Sequence, residues 1–364
     1  MAKSTEVRPA KVDKQPPALS LIAPEVRERR ARRELRDILP WWPSFRKTSR
    51  RFFTNPLSAT GIAILLLFLI IAIAAPWLAP PRPSLDPYQI PQDLNISSSF
   101  PQPPNAAAWQ TFPPNWQLHP FGTTGTSQYD LYYGAIWGTR TAFKVALIIV
   151  GLSLLIGLLI GSIAGFAGGL VDEALMRLVD VFLAFPFLVA VVVLTVVLSQ
   201  FPFVNLFGLH ITITGVWVVV VAITLVNWVT YARLVRGDIL SAKEKDYVQA
   251  ARAVGASNFR IIRRHLLPNT IYPVLVYASL DFGSQLITVA ALSFLGLGSP
   301  LGYADWGQLV NNAQQWVVQG GGTQFWYTLV VPAVFIALFV LAFNLIGDGV
   351  RDIFDPQLRG RSST

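Results

Sequence analysis

The chain has no cysteine, so disulfides, thiolate nucleophiles and cysteine-ligated metals are all excluded. Its three histidines, His119, His210 and His265, lie too far apart in sequence to read as a metal cluster. Charge is also scarce. Only 13% of the 364 residues are Asp, Glu, Lys or Arg, and 53% are hydrophobic, whereas soluble domains carry about 25% charged residues. That deficit places the apolar surface in a bilayer rather than in a large soluble core. Catalytic signatures are missing too. There is no Gly-x4-Gly-Lys-Ser/Thr to cradle nucleotide phosphates, no Gly-x-Ser-x-Gly, no His-Glu-x-x-His and no pair of carboxylates within an apolar run. The chain is therefore not an enzyme by any of these routes, and it has no nucleotide cradle of the usual kind.

What is present is a series of apolar runs. About 20 apolar residues cross a bilayer, and six stretches qualify: 58–78, 143–166, 175–198, 213–231, 273–295 and 328–346. They predict an all-helical, six-span membrane domain over 58–346. Pro186 and Pro332 fall inside two of these runs, where neighbouring helices can satisfy the freed carbonyls. Gly157, Gly161 and Gly165 make a small-xxx-small stripe in the second run, which lets another helix approach closely.

The net charge of +9 is unevenly placed. Segment 1–57 holds 14 basic residues, nine of them arginines within 27–51. It has no apolar h-region, so it is not a signal peptide. Its first part, with Pro9, Pro16 and Pro17, is too polar to fold alone. Over 25–39 it reads either as a basic helix on an anionic membrane surface or as a solvated tail. Loop 79–140 has only Arg82 and Arg140, the second loop has Arg177, and the third and fifth have none. The fourth has eight: Arg233, Arg236, Lys243, Lys245, Arg252, Arg260, Arg263 and Arg264. The tail, 347–364, has Arg351, Arg359 and Arg361. The positive-inside rule then puts both termini and the fourth loop in the cytoplasm. This topological cause is sufficient, and nucleic-acid binding is not needed to explain the charge.

Loop 79–140 is the long external connection of that topology. Pro101, Pro103, Pro104, Pro113 and Pro114 predict an irregular path. Trp109, Phe112 and Trp116 are placed to pack it against the outer membrane face.

The polar stretch 241–268, between the fourth and fifth runs, carries the densest pattern. Ser241 with Glu244 reads as a capping box. Tyr247, Ala250, Ala251 and Val254 share one helical face. Gly255 stands where a C-terminal cap would sit. Ser257 can cap a second short helix with Phe259, Ile262 and Leu266 on one face, and Pro268 is expected to end it. The reading is of two short helices joined at a glycine bend. Among the spans, Asp281 is the clearest buried acid, either a pathway residue or a packing group bonded to neighbouring hydroxyls and backbone. Arg177 with Asp180, and Arg140 with Lys144, lie near span ends and can snorkel. Asp348, Arg351, Asp352 and Asp355 share a helical face that either pairs with the basic fourth loop or is simply solvated.

Gln249-Ala250-Ala251, Gly255 four positions on and Leu267-Pro268 resemble the EAA loop of ATP-binding-cassette importer permeases. Gln249 stands where that family usually has glutamate, and His265 where isoleucine is usual. The resemblance extends over about 55–358, apart from much of the first loop. It takes in Asn55-Pro56-Leu57, Gly168-Gly169, Asp172, Glu173, Phe185-Pro186, Tyr231-Ala232-Arg233, Ser293-Phe294-Leu295-Gly296, Trp306-Gly307, Asn344 and Gly347-Asp348. His119-Pro120-Phe121-Gly122-Thr123 is similar to a family segment, but the Asp and Gly-Arg that usually follow are absent. Together these are similar to the C-type permease of dipeptide, oligopeptide and nickel importers. The resemblance implies a type I importer permease in the plasma (inner) membrane of a prokaryote. It implies a second permease subunit, two ATPase subunits that hold ATP and Mg, and an external solute-binding protein; this chain itself would need no cofactor. It makes 237–268 the coupling loop, with Tyr247, Gln249, Ala250, Ala251, Gly255, Phe259, Leu267 and Pro268 docking into the ATPase. Peptide is the expected cargo, with nickel or another small solute as the alternative. An ion-driven secondary transporter would want an internal repeat and partnered intramembrane charges.

Overall fold

The computed structural model describes residues 55–354, apart from 84, 94–95, 97, 126, 202, 207–208 and 320–322. The basic segment to residue 54, with the helix expected over 25–39, lies outside the described residues, as do Asp355 and the last arginines.

Helix α1, Pro56–Leu78, starts where Asn55 accepts the Leu57 N–H at 3.0 Å and Pro56 fills the first turn. Its 23 residues make about 35 Å, enough to cross the hydrocarbon. Helix α2, Leu131–Ala167, runs for 37 residues. It begins twelve positions before the expected span at 143, because Asp130 caps it, accepting the Tyr133 N–H at 2.5 Å. Its first turns are buried: Leu131, Tyr132, Tyr133 and Trp137 all sit in the core.

The third span departs from expectation. Helix α3, Gly169–Leu183, and helix α4, Phe187–Ser199, meet at 86°. Pro186 does not lie inside a continuous helix; it caps α4. Its ring bars the helical conformation at Phe185, and it offers no N–H to the turn before it. Alone, the 13 residues of α4 rise only about 20 Å, so the crossing needs both halves. The third loop holds a second departure. Strands β1, Phe203–Leu206, and β2, Leu209–Thr212, pair antiparallel with Phe203 opposite Thr212 and Leu206 opposite Leu209. The β-branched and aromatic residues there favour a hairpin over a featureless connection.

Helix α5, Val216–Ala242, leads to the short α6, Asp246–Ala253, and then to α7, Asn258–Phe294, which contains a π turn at Ile262–Leu266. Helix α8, Trp306–Gln319, and helix α9, Trp326–Phe354, complete the chain. Among the described residues, five helices are long and apolar enough to cross a membrane, or six if the bent pair is one span.

The bundle is centred on α2 against α5. The glycine stripe faces α5 at backbone distance. A Cβ on Gly157 would lie 2.3 Å from Tyr231 Cβ, and one on Gly161 would lie 2.5 Å from the Ala232 carbonyl oxygen. On the other side, Phe68 of α1 packs edge-on against Trp306, Phe335 and Phe339.

Segment 79–130 is irregular, as the prolines predict, with two short 3-10 turns at Ala106–Gln110 and Trp116–Leu118. It forms a cap on the N-terminal end of α2. Trp116 is buried edge-on against Tyr133, and Trp109 packs on Phe121 and Tyr132. Phe112, 80% exposed, packs edge-on against Trp77. The cap is stitched to the bundle by hydrogen bonds. The Trp137 indole donates to the Ala79 carbonyl at 2.9 Å and the Tyr133 hydroxyl to that of Pro87 at 2.8 Å. The Ile90 and Ala304 N–H groups exchange with the carbonyls of Gly302 and Tyr88, both at 2.7 Å. Arg140 and Lys144 are separate: Arg140 lies over the Trp137 ring and Lys144 over that of Tyr88.

His119 locks this cap. Its Nδ1 lies 2.8 Å from Asp130 and its Nε2 3.1 Å from Asp93. Burial pulls the imidazole pKa down, but the two carboxylates outweigh it, and the result is raised above 6.5. The raised value means that the imidazolium's contribution is full below 6.5 and is lost as pH rises through the folded pKa. Burial raises Asp130 as well, so that group too loses stability as pH rises, from the acid end. The cap should therefore become more open to limited proteolysis as pH rises above about 6.5. His119→Gln should flatten that profile; an unchanged profile would show that the imidazolium does not hold the cap.

Candidate functional site

The stretch around α6 sits at the end of α2 opposite the cap. Helix α5 does not stop at Ser241, and no capping box forms with Glu244. The helix runs on to Ala242 because Val235, Ile239 and Ala242 are still buried in the bundle. After a tight turn over Lys243 and Lys245, α6 opens at Asp246, whose charge suits a helix start.

Two faces of α6 differ sharply. Val248 and Ala251 are buried, and Tyr247 is half-buried, in one cluster with Val235, Ile239, Ile261 and Leu266. The core of this element is thus continuous with that of the spans. Gln249 and Ala250 are exposed, while Val254 and Phe259 are 84% and 72% exposed. The expected face of Tyr247, Ala250, Ala251 and Val254 is therefore split, because the bundle lies nearer Val248. Phe259 likewise points away from Ile261 and Leu266.

Gly255 makes the bend. Its N–H bonds to the Arg252 carbonyl at 2.9 Å and the Ala256 N–H to that of Ala251 at 3.0 Å, which is a Schellman cap. The glycine has φ +78, a left-handed conformation that other residues adopt only with strain. Ser257 precedes α7 as expected, without a side-chain cap bond. Pro268 does not end the second helix. The π turn at Ile262–Leu266 absorbs its missing donor. The side chains of Asn269 and Thr270 take the carbonyls of His265 and Leu266 at 2.6 and 3.1 Å. Leu267 and Pro268 thus carry the element straight into a membrane helix.

Cations fix the element to its neighbours. Lys243 donates to the Gly165 carbonyl at 3.3 Å, and Arg252 lies over the Phe166 ring. Both sit at the C-terminal end of α2, where the helix dipole favours positive charge. Arg236 grips Asp172 with two bonds, at 2.5 and 2.7 Å, and Arg233 meets Asp180 at 2.6 Å. Arg177 pairs with Glu173 rather than with Asp180. The sequence marked the loop as basic but gave no sign of which cations hold α2 and α3. Asp352 accepts a hydrogen bond from Asn55, and Asp348 is exposed. Among the described residues, neither pairs with a cation of the α6 region.

Asp281 lies elsewhere, in the middle of α7 and 4% exposed. It accepts from Asn227 and Tyr231 of α5, each at 2.8 Å, and from Gln285 at 2.7 Å. Gln285 also donates to Asn227 at 3.1 Å. These three partners were not legible beforehand, since two come from another span. The cluster ties α5 to α7 through neutral donors.

Comparison with known proteins bears on what this arrangement serves. The family model described as "Binding-protein-dependent transport system inner membrane component" matches residues 157–360, from the glycine stripe through α6 to the tail. The chain belongs to this family. A second model, the "N-terminal TM domain of oligopeptide transport permease C", matches 44–104. The dipeptide transport system permease protein DppC of Bacillus subtilis is 33% identical over 310 residues, 85% of each chain. The oligopeptide transport system permease protein OppC of the same organism is 33% identical over 309 residues, covering 85% of this chain and 88% of the relative. The dipeptide permease DppC of Alkalihalophilus pseudofirmus is 30% identical over 94% of this chain and 98% of its own. Membership makes the chain a multi-pass membrane component of a transport system. It also gives the two faces of α6 a context: one is rooted in the spans and the other is presented beyond them.

Proposed function

We propose that this chain is one permease half of an ATP-driven peptide importer. The observation that carries the coupling part is the exposed apolar pair Val254 and Phe259 on an element whose opposite face is core. An apolar patch at the end of a membrane bundle, held by the Schellman bend and by Lys243 and Arg252, is suited to insert into a partner's cleft. The peptide cargo rests on the relatives, which are named as dipeptide and oligopeptide permeases. In this reading a second permease completes the pathway, two ATPase subunits bind ATP and Mg, and a solute-binding protein delivers peptide on the cap side. Closure of the ATPase pair pushes α6, and the push enters α7 through the Gly255 bend and α2 through Lys243 and Arg252. The chain contributes a pathway and a lever, and its own residues perform no covalent step. Asp281 acts as a brace between α5 and α7 beside that pathway.

The test is uptake by the assembled transporter in proteoliposomes. Accumulation of a labelled dipeptide should require ATP and the binding protein, and uptake driven by an ion gradient without ATP would overturn the reading. Orientation is checked separately in the cysteine-free background. A cysteine at 111 should react with a membrane-impermeant reagent in intact cells, and one at 245 only after permeabilisation. The reverse pattern would invert the topology and remove α6 from the side where ATP is.

A further inference from the structure

From Trp306 to Gly347 the chain has no Asp, Glu, Lys or Arg, yet it carries seven Asn and Gln between 308 and 324. Most of these lie on α8, which is amphipathic. Trp306, Leu309 and Ala313 are buried on one side. On the other, Asn311, Asn312, Gln314, Gln315 and Val318 line a cavity of about 400 Å³. Water-exposed faces of amphipathic helices ordinarily carry charge, and lipid-facing ones are apolar. A face that is polar but free of charge fits neither setting.

Two of the amides serve the fold. Gln308 donates to the carbonyls of Ser299 and Pro300, at 3.1 and 2.6 Å, and Asn311 to that of Phe294 at 2.6 Å. The adjacent Asp305 is buried, bonded by Ser293, Ser299 and the Gly307 N–H, and does not line the cavity. Asn312, Gln314 and Gln315 have no protein partner among the described residues. Each carboxamide offers both a donor and an acceptor, which is the pattern a peptide bond presents. Helix α8 is held rigidly at the cap end of the bundle. The Trp306 indole donates to the Ala135 carbonyl at 3.0 Å, and Trp316 packs edge-on against Phe100 and Phe325.

We propose that Asn312, Gln314 and Gln315 form a contact surface for the main chain of a transiting peptide at the cap-side mouth of the pathway. The surface reads peptide bonds and is blind to side-chain charge, since a fixed charge there would favour cargo of one sign. This rests on the peptide-import reading above.

The experiment adds a charge to the neutral face. Gln315→Glu and Gln315→Lys are made in the complete transporter with its ATPases and binding protein. Uptake of an acidic and of a basic dipeptide is measured, each relative to wild type. One exposed charge a few ångströms from the cargo is worth about 1 kcal/mol on each peptide, unfavourable for one sign and favourable for the other, so the acidic-to-basic ratio should fall about thirtyfold in Gln315→Glu and rise by a similar factor in Gln315→Lys. Asn312→Leu with Gln315→Leu should slow both peptides by the same factor, with binding-protein affinity unchanged. Wild-type uptake with unmoved ratios in both charge variants overturns the surface and leaves peptide import standing. A loss confined to binding-protein affinity in the leucine variant also overturns it, by making α8 a docking face. No peptide uptake by wild type overturns both readings.

Discussion

Gly161→Leu is expected to leave almost no folded protein in the membrane. A Cβ at this position meets the Ala232 carbonyl oxygen at 2.5 Å and Val235 Cβ at 2.8 Å. The first is backbone and the second is fixed by its own helix, so neither can turn aside as the end of a long side chain would. Helices α2 and α5 would have to separate along most of their shared length, and overpacking of this kind costs about 3 kcal/mol or more. In a bilayer no hydrophobic driving force restores the pair, because lipid tails replace the lost contacts. Gly151 supplies the control. It lies on the same helix with nothing within 4 Å of its would-be Cβ, so Gly151→Leu should accumulate normally. Yield and thermal stability of the purified variants give the comparison. Equal yields would mean that the α2–α5 approach does not hold the bundle together.

The second large effect concerns movement rather than folding. Gly255→Val should insert and assemble but transport at least tenfold more slowly, with ATPase activity no longer stimulated by loaded binding protein. Nothing lies within 4 Å of the missing Cβ, so crowding is not the cause. The cause is φ +78, which costs an L-residue about 1–2 kcal/mol and a β-branched one more. The bend would relax by rotating α6, turning Val254 and Phe259 away from the direction in which they are presented. Gly255→Asn tests the mechanism, since asparagine tolerates the left-handed region; it should keep much of the activity. Equal loss in both variants would point to a role for the glycine other than its backbone.

Much of this was open to reading from residue order. Six apolar runs, a glycine stripe and a glycine bend before Ser257 are local patterns; the stripe and the bend appear where expected, and five of the runs lie in single helices. The failures share one origin. Ser241 and Glu244 are a sound local cap signal, but burial of Ile239 and Ala242 against α2 carries α5 past it. Pro268 is a sound stop signal, but a π turn before it lets the helix continue. Pro186 was read as a tolerated kink, yet there the chain breaks by 86°. Asp281's partners on α5, Asn227 and Tyr231, lie 54 and 50 positions away, and His119's partner Asp93 lies 26 away, beyond any periodicity. Local grammar names candidates, and tertiary contact decides between them.

The depth to which the cap shares α2 bears on how such permeases can be recombined. The first three turns of α2 belong to the cap as much as to the spans: Tyr133, Trp137 and Ala135 bond to residues 87, 79 and 306. A chimaera cut near 143 would keep the Tyr133 and Trp137 bonds within one piece but would part Ala135 from Trp306, and Ile90 and Tyr88 from Gly302 and Ala304. The natural unit of exchange runs from the end of α1 to about 142 and takes the 299–306 turn with it. That unit is discontinuous in the gene, so a cap of this kind passes between transporters only as two coordinated segments.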